Sequence, residues 1–190
     1  GYNRRWAPLW QRGVGWVPTP ALAVLEKHRA TVGPFLAEHD LLDDFVHPLD
    51  LAVTLRAREL GDVRLRTDDD GRLLLLRVTL PLVNGDAVVA MVRGTGVEVE
   101  EARLWAVDGH AARLQGLERL HWNASASDGT WGTVTSPPWS PVWERRGFAG
   151  AMAAFLSVVR DGTGWREPLQ MARTTQHLVE AIRRRLSDAR

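Results

Sequence analysis

The densest group of chemistry-bearing side chains is the string Asp43-Asp44-Phe45-Val46-His47-Pro48-Leu49-Asp50. In a helix, Asp43 and His47 stand one turn apart and project from the same face. A carboxylate beside an imidazole orients the ring and raises its pKa, giving a group able to pass a proton near neutral pH. Asp50, three residues beyond His47, could reach the ring as well. The same spacing also suits a plainer arrangement, a capping aspartate and a histidine bonded to backbone. No metal site is expected, because no second histidine pair with ligand spacing accompanies the string.

Other chemistries find less support. The chain has no cysteine, which excludes disulfide scaffolds, cysteine nucleophiles, Fe–S clusters and thiolate zinc sites. Lys27 is the only lysine among 24 basic residues, so any lysine chemistry must use it or a residue outside this chain. The stretches Gly13-Val-Gly15, Gly94-Thr-Gly96 and Gly162-Thr-Gly164 each lack the third glycine of a dinucleotide-binding turn. Neither a phosphate-binding loop nor a Gly-x-Ser-x-Gly elbow is present. Nine tryptophans are spread along the whole chain, a distribution that suits core and interface packing better than a carbohydrate platform.

The elements that must carry these residues read as follows. From Asp62 to Val134 the sequence is strand-like, with Arg72–Leu80 and Ala87–Arg93 flanking the hairpin pair Asn84-Gly85. Asp108-Gly109 and Asp128-Gly129 signal two more turns, so an antiparallel meander is expected. Phe148, Met152, Phe155, Leu156 and Val159 recur at helical spacing and end at Asp161-Gly162. Pro168 suits a first helical turn, and Leu169, Ala172, Leu178, Val179, Ile182 and Leu186 form the inner face of a terminal helix. Arg183, Arg184 and Arg185 are read as its solvated end rather than as a nucleic-acid patch. Ala21–Arg29 fits helix or strand. Leu41–Leu60 reads as a helix with Leu42, Phe45, Val46, Leu49, Val53 and Leu60 inward. Pro48 places the start of that helix near Asp43 or Asp44, since a proline deeper in would cost about 3 kcal/mol. The fold class is α+β: an open, mainly antiparallel sheet with helices on one face and a partner subunit on the other.

Bulk properties agree with a single globular domain over residues 1–190, with 45% hydrophobic and 25% charged residues. Basic and acidic residues number 24 and 23, which leaves no field strong enough for nucleic acid or an anionic membrane. The uncharged helical run Phe148–Val159 is far short of the roughly 20 residues that span a bilayer. With no charged-then-apolar leader, the expectation is a soluble, cytoplasmic protein, in which the sequon at Asn123 carries no sugar.

Taken in order, Gly1-Tyr2-Asn3-Arg4-Arg5-Trp6-Ala7-Pro8, the Asp-x-x-x-His-x-x-Asp helix start, the strands and the two terminal helices resemble the Gfo/Idh/MocA family of NAD(P)-dependent oxidoreductases. The resemblance covers the whole chain but only that family's C-terminal domain. The Asp43–Asp50 string, Glu26-Lys27-His28-Arg29 and Arg146-Gly147-Phe148 look like one bacterial branch of it. It implies hydride transfer between a nicotinamide and a hydroxyl-bearing carbon of a sugar or cyclitol, in a homodimer or tetramer. The proton-transfer group would be His47, oriented by Asp43. His28 would contact substrate, with Lys27 or Arg29 as neighbours, and Asn3 and Arg4 would lie near the cofactor. The family's Rossmann domain and its Glu-Lys-Pro motif are absent; Glu26-Lys27 does not replace that motif, because it follows the Asn-Arg-Arg segment instead of preceding it. The implied protein is therefore a piece of a chain of roughly 300 or more residues, binding NAD or NADP through the missing domain. Alone it would hold no cofactor and be inactive. The competing expectation is a non-catalytic ligand-binding or dimerisation module.

Overall fold

The computed structural model describes residues 2–123, 129–162 and 166–188. A 3-10 turn at Arg4–Trp6 leads into α1 (Pro8–Trp16) and then β1 (Leu22–His28). A continuous helical run follows, made of α2 (Ala37–Asp40), a π turn (Leu41–Phe45) and α3 (Val46–Thr54). Next come β2 (Val63–Thr67), β3 (Leu73–Pro81), β4 (Asp86–Val92) and β5 (Val99–Trp105). After these stand β6 (Ala111–Gln115), β7 (Arg119–Asn123) and β8 (Trp131–Thr135). Three helices complete the order: α4 (Val142–Arg145), α5 (Phe148–Asp161) and α6 (Arg166–Asp188).

The eight strands form one sheet in the order β2-β3-β4-β1-β5-β6-β7-β8. Every pair is antiparallel except β1 and β4, so the expected meander is split by an early strand inserted at its centre. Asn84-Gly85 and Asp108-Gly109 lie in the turns that join β3 to β4 and β5 to β6; Gly109 takes a positive φ of 89°, whereas neither Asn84 nor Gly85 does, so the first turn forms without the backbone conformation expected of it. Of the third turn signal, Asp128 lies outside the described residues. Space holds Gly85 to glycine: a Cβ there would collide with the Ala21 carbonyl, where β1 begins.

One face of the sheet carries the core. Leu76, Val78 and Leu80 of β3, Val89 and Met91 of β4, and Ala23 and Leu25 of β1 are buried together with Phe45, Leu49 and Val53 of the helical run and Leu178, Ile182 and Leu186 of α6. Each such side chain contributes about 1.5–3 kcal/mol on burial. The opposite face mixes half-buried Val24, Val88, Ala90 and Val92 with the charges of Glu26, Glu101 and Arg103.

The helical run departs from expectation. It starts at Ala37, before either aspartate, and ends at Thr54 rather than Leu60. Its buried residues are Ala37, the pairs Asp40 and Leu41 and Asp44 and Phe45, and then every residue from Pro48 to Val53. From one of these pairs to the next, an α-helix of about 3.6 residues per turn would drift roughly 40°. The π turn takes up one extra residue and brings the stripe back into line. Leu42 is therefore exposed rather than inward. At the other end of the chain Leu169 is also exposed, and α5 forms as predicted but with its apolar positions in solvent.

Candidate functional site

Four segments meet at one end of the sheet: the end of β1, the start of β5, the π turn, and the Asn3–Trp6 turn beside α4. Alternation along β1 turns Ala23, Leu25 and Lys27 toward the helices, and Arg29 just beyond the strand follows the same side. His28 faces the other way. Its Nδ1 accepts a hydrogen bond from the Val92 N–H at 3.0 Å, and its Nε2 lies 3.5 Å from Glu26. The expectation that His28 lines the same pocket as His47 is thus corrected by strand geometry, and Lys27 occupies that side.

Asp44 is the hub. Its carboxylate accepts from Lys27 Nζ at 2.6 Å, from Arg29 Nε at 2.8 Å and from Arg93 at 3.2 Å. Arg93 also pairs with Asp40 at 2.9 Å and donates to the Val32 carbonyl at 2.7 Å. Burial pushes Asp44 up, but Arg29 and Lys27 outweigh it and hold the carboxyl well below the usual range. Pro48 has no N–H to give to the Asp44 carbonyl, and the Lys27 ammonium stands 3.4 Å from that oxygen. Burial and then the Arg4 guanidinium lower Lys27 to about 8 against the pull of Asp44.

Asp43 is exposed and makes no hydrogen bond or ion pair with His47 among the described residues. The π turn explains this, since it breaks the α-helical register on which the pairing of residues four apart depends. Asp50 is also directed elsewhere: its buried carboxylate accepts from Arg5 Nε at 3.0 Å and from the Thr175 hydroxyl at 2.8 Å. These bonds tie the first turn of the chain to α3 and α6.

His47 is half-buried, and its Nδ1 is enclosed without a hydrogen-bond partner. Burial, then Arg4 and Lys27, lower its pKa to about 3. The ring is therefore neutral near pH 7, the reverse of the expected carboxylate effect. A neutral imidazole offers one donor and one acceptor to a ligand. Arg4 pairs with Glu100, which also accepts from Arg146 at 2.7 Å. Burial and the neighbouring cations Arg146 and Arg29 lower Arg4 to about 10. Asn3 donates from its side chain to the Arg146 carbonyl at 2.7 Å.

Arg4, Lys27, Pro48 and Glu100 border a void of about 10 Å³, room for one water. A cleft of about 410 Å³ lies elsewhere, lined by Trp6, Trp10, Val14 and Met171. Sequence reasoning missed Asp40, Asp44, Arg93, Glu100 and Arg146. The alternation of Lys27 with Arg29 was a usable signal for part of this group, once β1 is taken as a strand.

The other sequence features resolve as structure. Asn123 is buried; its Oδ1 accepts from the Trp16 indole at 3.1 Å and from the Ala111 N–H at 2.7 Å. Arg183 lies 3.4 Å from Glu38. No described helix is long and apolar enough to cross a membrane.

No family profile matches the chain. A curated Salmonella typhimurium protein named as an oxidoreductase, YceM, is 28% identical over 185 residues, covering 96% of this chain and 59% of its own length. A dehydrogenase structure (MviM) from Clostridium difficile superposes with a TM-score of 0.84 at 20% identity, over 96% of this chain and 60% of that one. A Gfo/Idh/MocA family oxidoreductase from Vibrio cholerae gives 0.83 at 23% identity, over 100% and 61%. Two more distant structures of the fold, both 15% identical with TM-scores of 0.72 and 0.68, hold NADP and NAD. The chain thus spans about three fifths of the length of the proteins it matches. In sequence the chain is similar to a curated oxidoreductase, and in fold to structures of a dehydrogenase and a Gfo/Idh/MocA family oxidoreductase.

Proposed function

We propose that residues 1–190 form the C-terminal, substrate-side domain of an NAD(P)-dependent oxidoreductase acting on a hydroxyl or carbonyl carbon of a sugar, cyclitol or similar small molecule. The observation that carries this reading is His47: a neutral ring whose enclosed Nδ1 lacks a partner, set among Arg4, Lys27 and Asp44. An unsatisfied buried polar atom is costly in a structural role and useful in one that receives a ligand.

Among the described residues no strand-to-helix turn with three spaced glycines occurs, and the void beside Lys27 admits only water, which supports a cofactor held outside this chain. A nucleotide-binding domain ahead of residue 1 would hold the cofactor, and the nicotinamide, when bound, carries the hydride. This chain supplies the rest. His47 hydrogen-bonds the reacting hydroxyl and takes or returns its proton. Burial, with Arg4 and Lys27, keeps the resting ring neutral, so that it can accept a hydrogen bond from the hydroxyl. Asp43, exposed one turn earlier, is left for substrate. The open sheet face, with Val24, Val88, Ala90 and Val92, is the surface for a homodimer or tetramer.

The test compares NAD(H) and NADP(H) titrations of the 190-residue chain with those of the longer polypeptide that includes the preceding domain. Binding is expected only in the longer form; tight binding to these residues alone would overturn the division of labour. In the longer form, His47→Ala is expected to lower turnover by about 10²–10⁴-fold, the usual worth of general acid–base catalysis. Wild-type turnover would remove His47 from the mechanism.

A further inference from the structure

The ion pairs at the end of the sheet fall into two groups with different balances. Lys27, Arg29 and Arg93 are shared among Asp40, Asp44 and Glu98, three cations against three carboxylates. Arg4 and Arg146 meet a single carboxylate, Glu100, among the described residues. That second group carries one positive charge more than its carboxylate answers. The Arg4 side chain is only 11% exposed, so water does little to relieve the surplus, and an anion that joined it would be held strongly. Arg146 is 30% exposed, which leaves a way in.

The surplus bears on His47. Its enclosed Nδ1 has no partner, and Arg4 and Lys27 are the cations that act on the ring, with Asp44 opposing them. Neither other carboxylate of the helical run helps: Asp50 is held by Arg5 and Thr175, and Asp43 makes no bond to the ring. When a hydroxyl is oxidised, its O–H bond breaks and the proton goes to the free ring nitrogen. The carbon gives up its hydrogen with the electron pair to the nicotinamide, and a carbonyl is left. The ring thereby becomes a third cation beside Arg4 and Lys27. Burial and those two cations hold its pKa at about 3, well below the range in which a general base works best near neutral pH. A negative charge brought next to Arg4 would offset both the surplus and the cost of the imidazolium.

Resting on the reading above that His47 takes the hydroxyl proton, we propose that the substrate carries an anionic group, a carboxylate or a phosphate, seated against Arg4 and Arg146 on the side of His47. The planar fork of an arginine matches two oxygens of either anion. Substrate binding would then complete the charge balance of the site and ready the histidine for its proton in one event. A neutral sugar would leave the surplus as it is.

Binding of glucuronate, glucose, inositol and inorganic phosphate to the longer polypeptide, followed through the ring resonances of His47, tests this. Glucuronate differs from glucose by its carboxylate, and phosphate shows which anion the arginines prefer. The anionic probes are expected to bind at least about tenfold more tightly than the neutral ones, the worth of a charge-assisted hydrogen bond. They should also raise the pKa of His47, and the preference should shrink as salt is added. Arg146→Gln, at a half-buried position, should reduce the preference, and Arg4→Lys should retain part of it. Equal binding of charged and neutral probes would overturn the proposal. So would anion binding that leaves the His47 resonances unmoved or that survives Arg146→Gln unchanged. Failure of every probe to bind would overturn it as well, and would mean that a carboxylate of the preceding domain already occupies the arginines. Nicotinamide binding separates the two proposals. An anion preference at His47 in a polypeptide that binds no nicotinamide leaves the anion site intact and removes the oxidoreductase reading. Nicotinamide binding without the preference does the reverse.

Discussion

His47 and Lys27 show how two residues can exchange the roles that spacing suggests. The histidine sits where a carboxylate was expected to raise its pKa, yet burial and two cations lower it to about 3. One consequence is spectroscopic. The ring resonances of His47 should not titrate between pH 5 and 8. In Lys27→Met its pKa should rise, because one of the cations that disfavour the imidazolium is gone. A normal titration of His47 in the wild-type chain would contradict the burial argument. A second consequence is thermodynamic. A histidine kept neutral in the fold binds fewer protons than its unfolded counterpart between about pH 3 and pH 6.5, so stability falls as pH drops through that window. His47→Gln should flatten the acid limb of a denaturation-against-pH curve. Lys27 acts at the other end. With its folded pKa at about 8 and its unfolded value near 10.4, the unfolded chain binds more protons between those values, so stability should rise with pH there. The rise should be absent in Lys27→Met.

Among the elements, the π turn decides which aspartate matters. Asp43 and Asp44 are adjacent and chemically identical, and a regular helix assigns the histidine to the first. The wide turn buries the second instead, among three cations. Replacing Asp44 by Ala leaves Lys27, Arg29 and Arg93 short of their shared counter-charge in a buried setting, and a loss of about 3–5 kcal/mol is expected on denaturant unfolding. Asp43→Ala should change stability by less than about 0.5 kcal/mol. Equal effects would mean that the hub is not at Asp44. The contrast also marks what a sequence can and cannot announce. Asp108-Gly109 was legible because a turn that needs a positive φ calls for glycine, and Gly109 supplies it. The terminal helix was legible from the repeat of Leu178, Ile182 and Leu186. The insertion of β1 beside β4 was not, because parallel pairing across many residues leaves no local mark. The π turn was hidden for a related reason: a stripe every four residues reads as an ordinary α-helix until the accumulated drift is counted. His28 was placed at the pocket by the family resemblance, whereas strand alternation puts it on the face opposite Lys27.

At the scale of the whole molecule, the open sheet face needs an occupant. It is broad and carries charges as well as Val24, Val88, Ala90 and Val92, which suits a symmetric contact between copies. Association through the sheet must follow mass action. Ala90, half-buried in central strand β4, is the position at which to test it. Ala90→Arg places a guanidinium in the middle of the open face, far from the buried core face of the same strand. Sedimentation of the longer polypeptide should shift from oligomer to monomer with this change, with the thermal midpoint of the domain moved by only a few degrees. If Ala90→Arg leaves the oligomer intact, the sheet face is not the subunit contact.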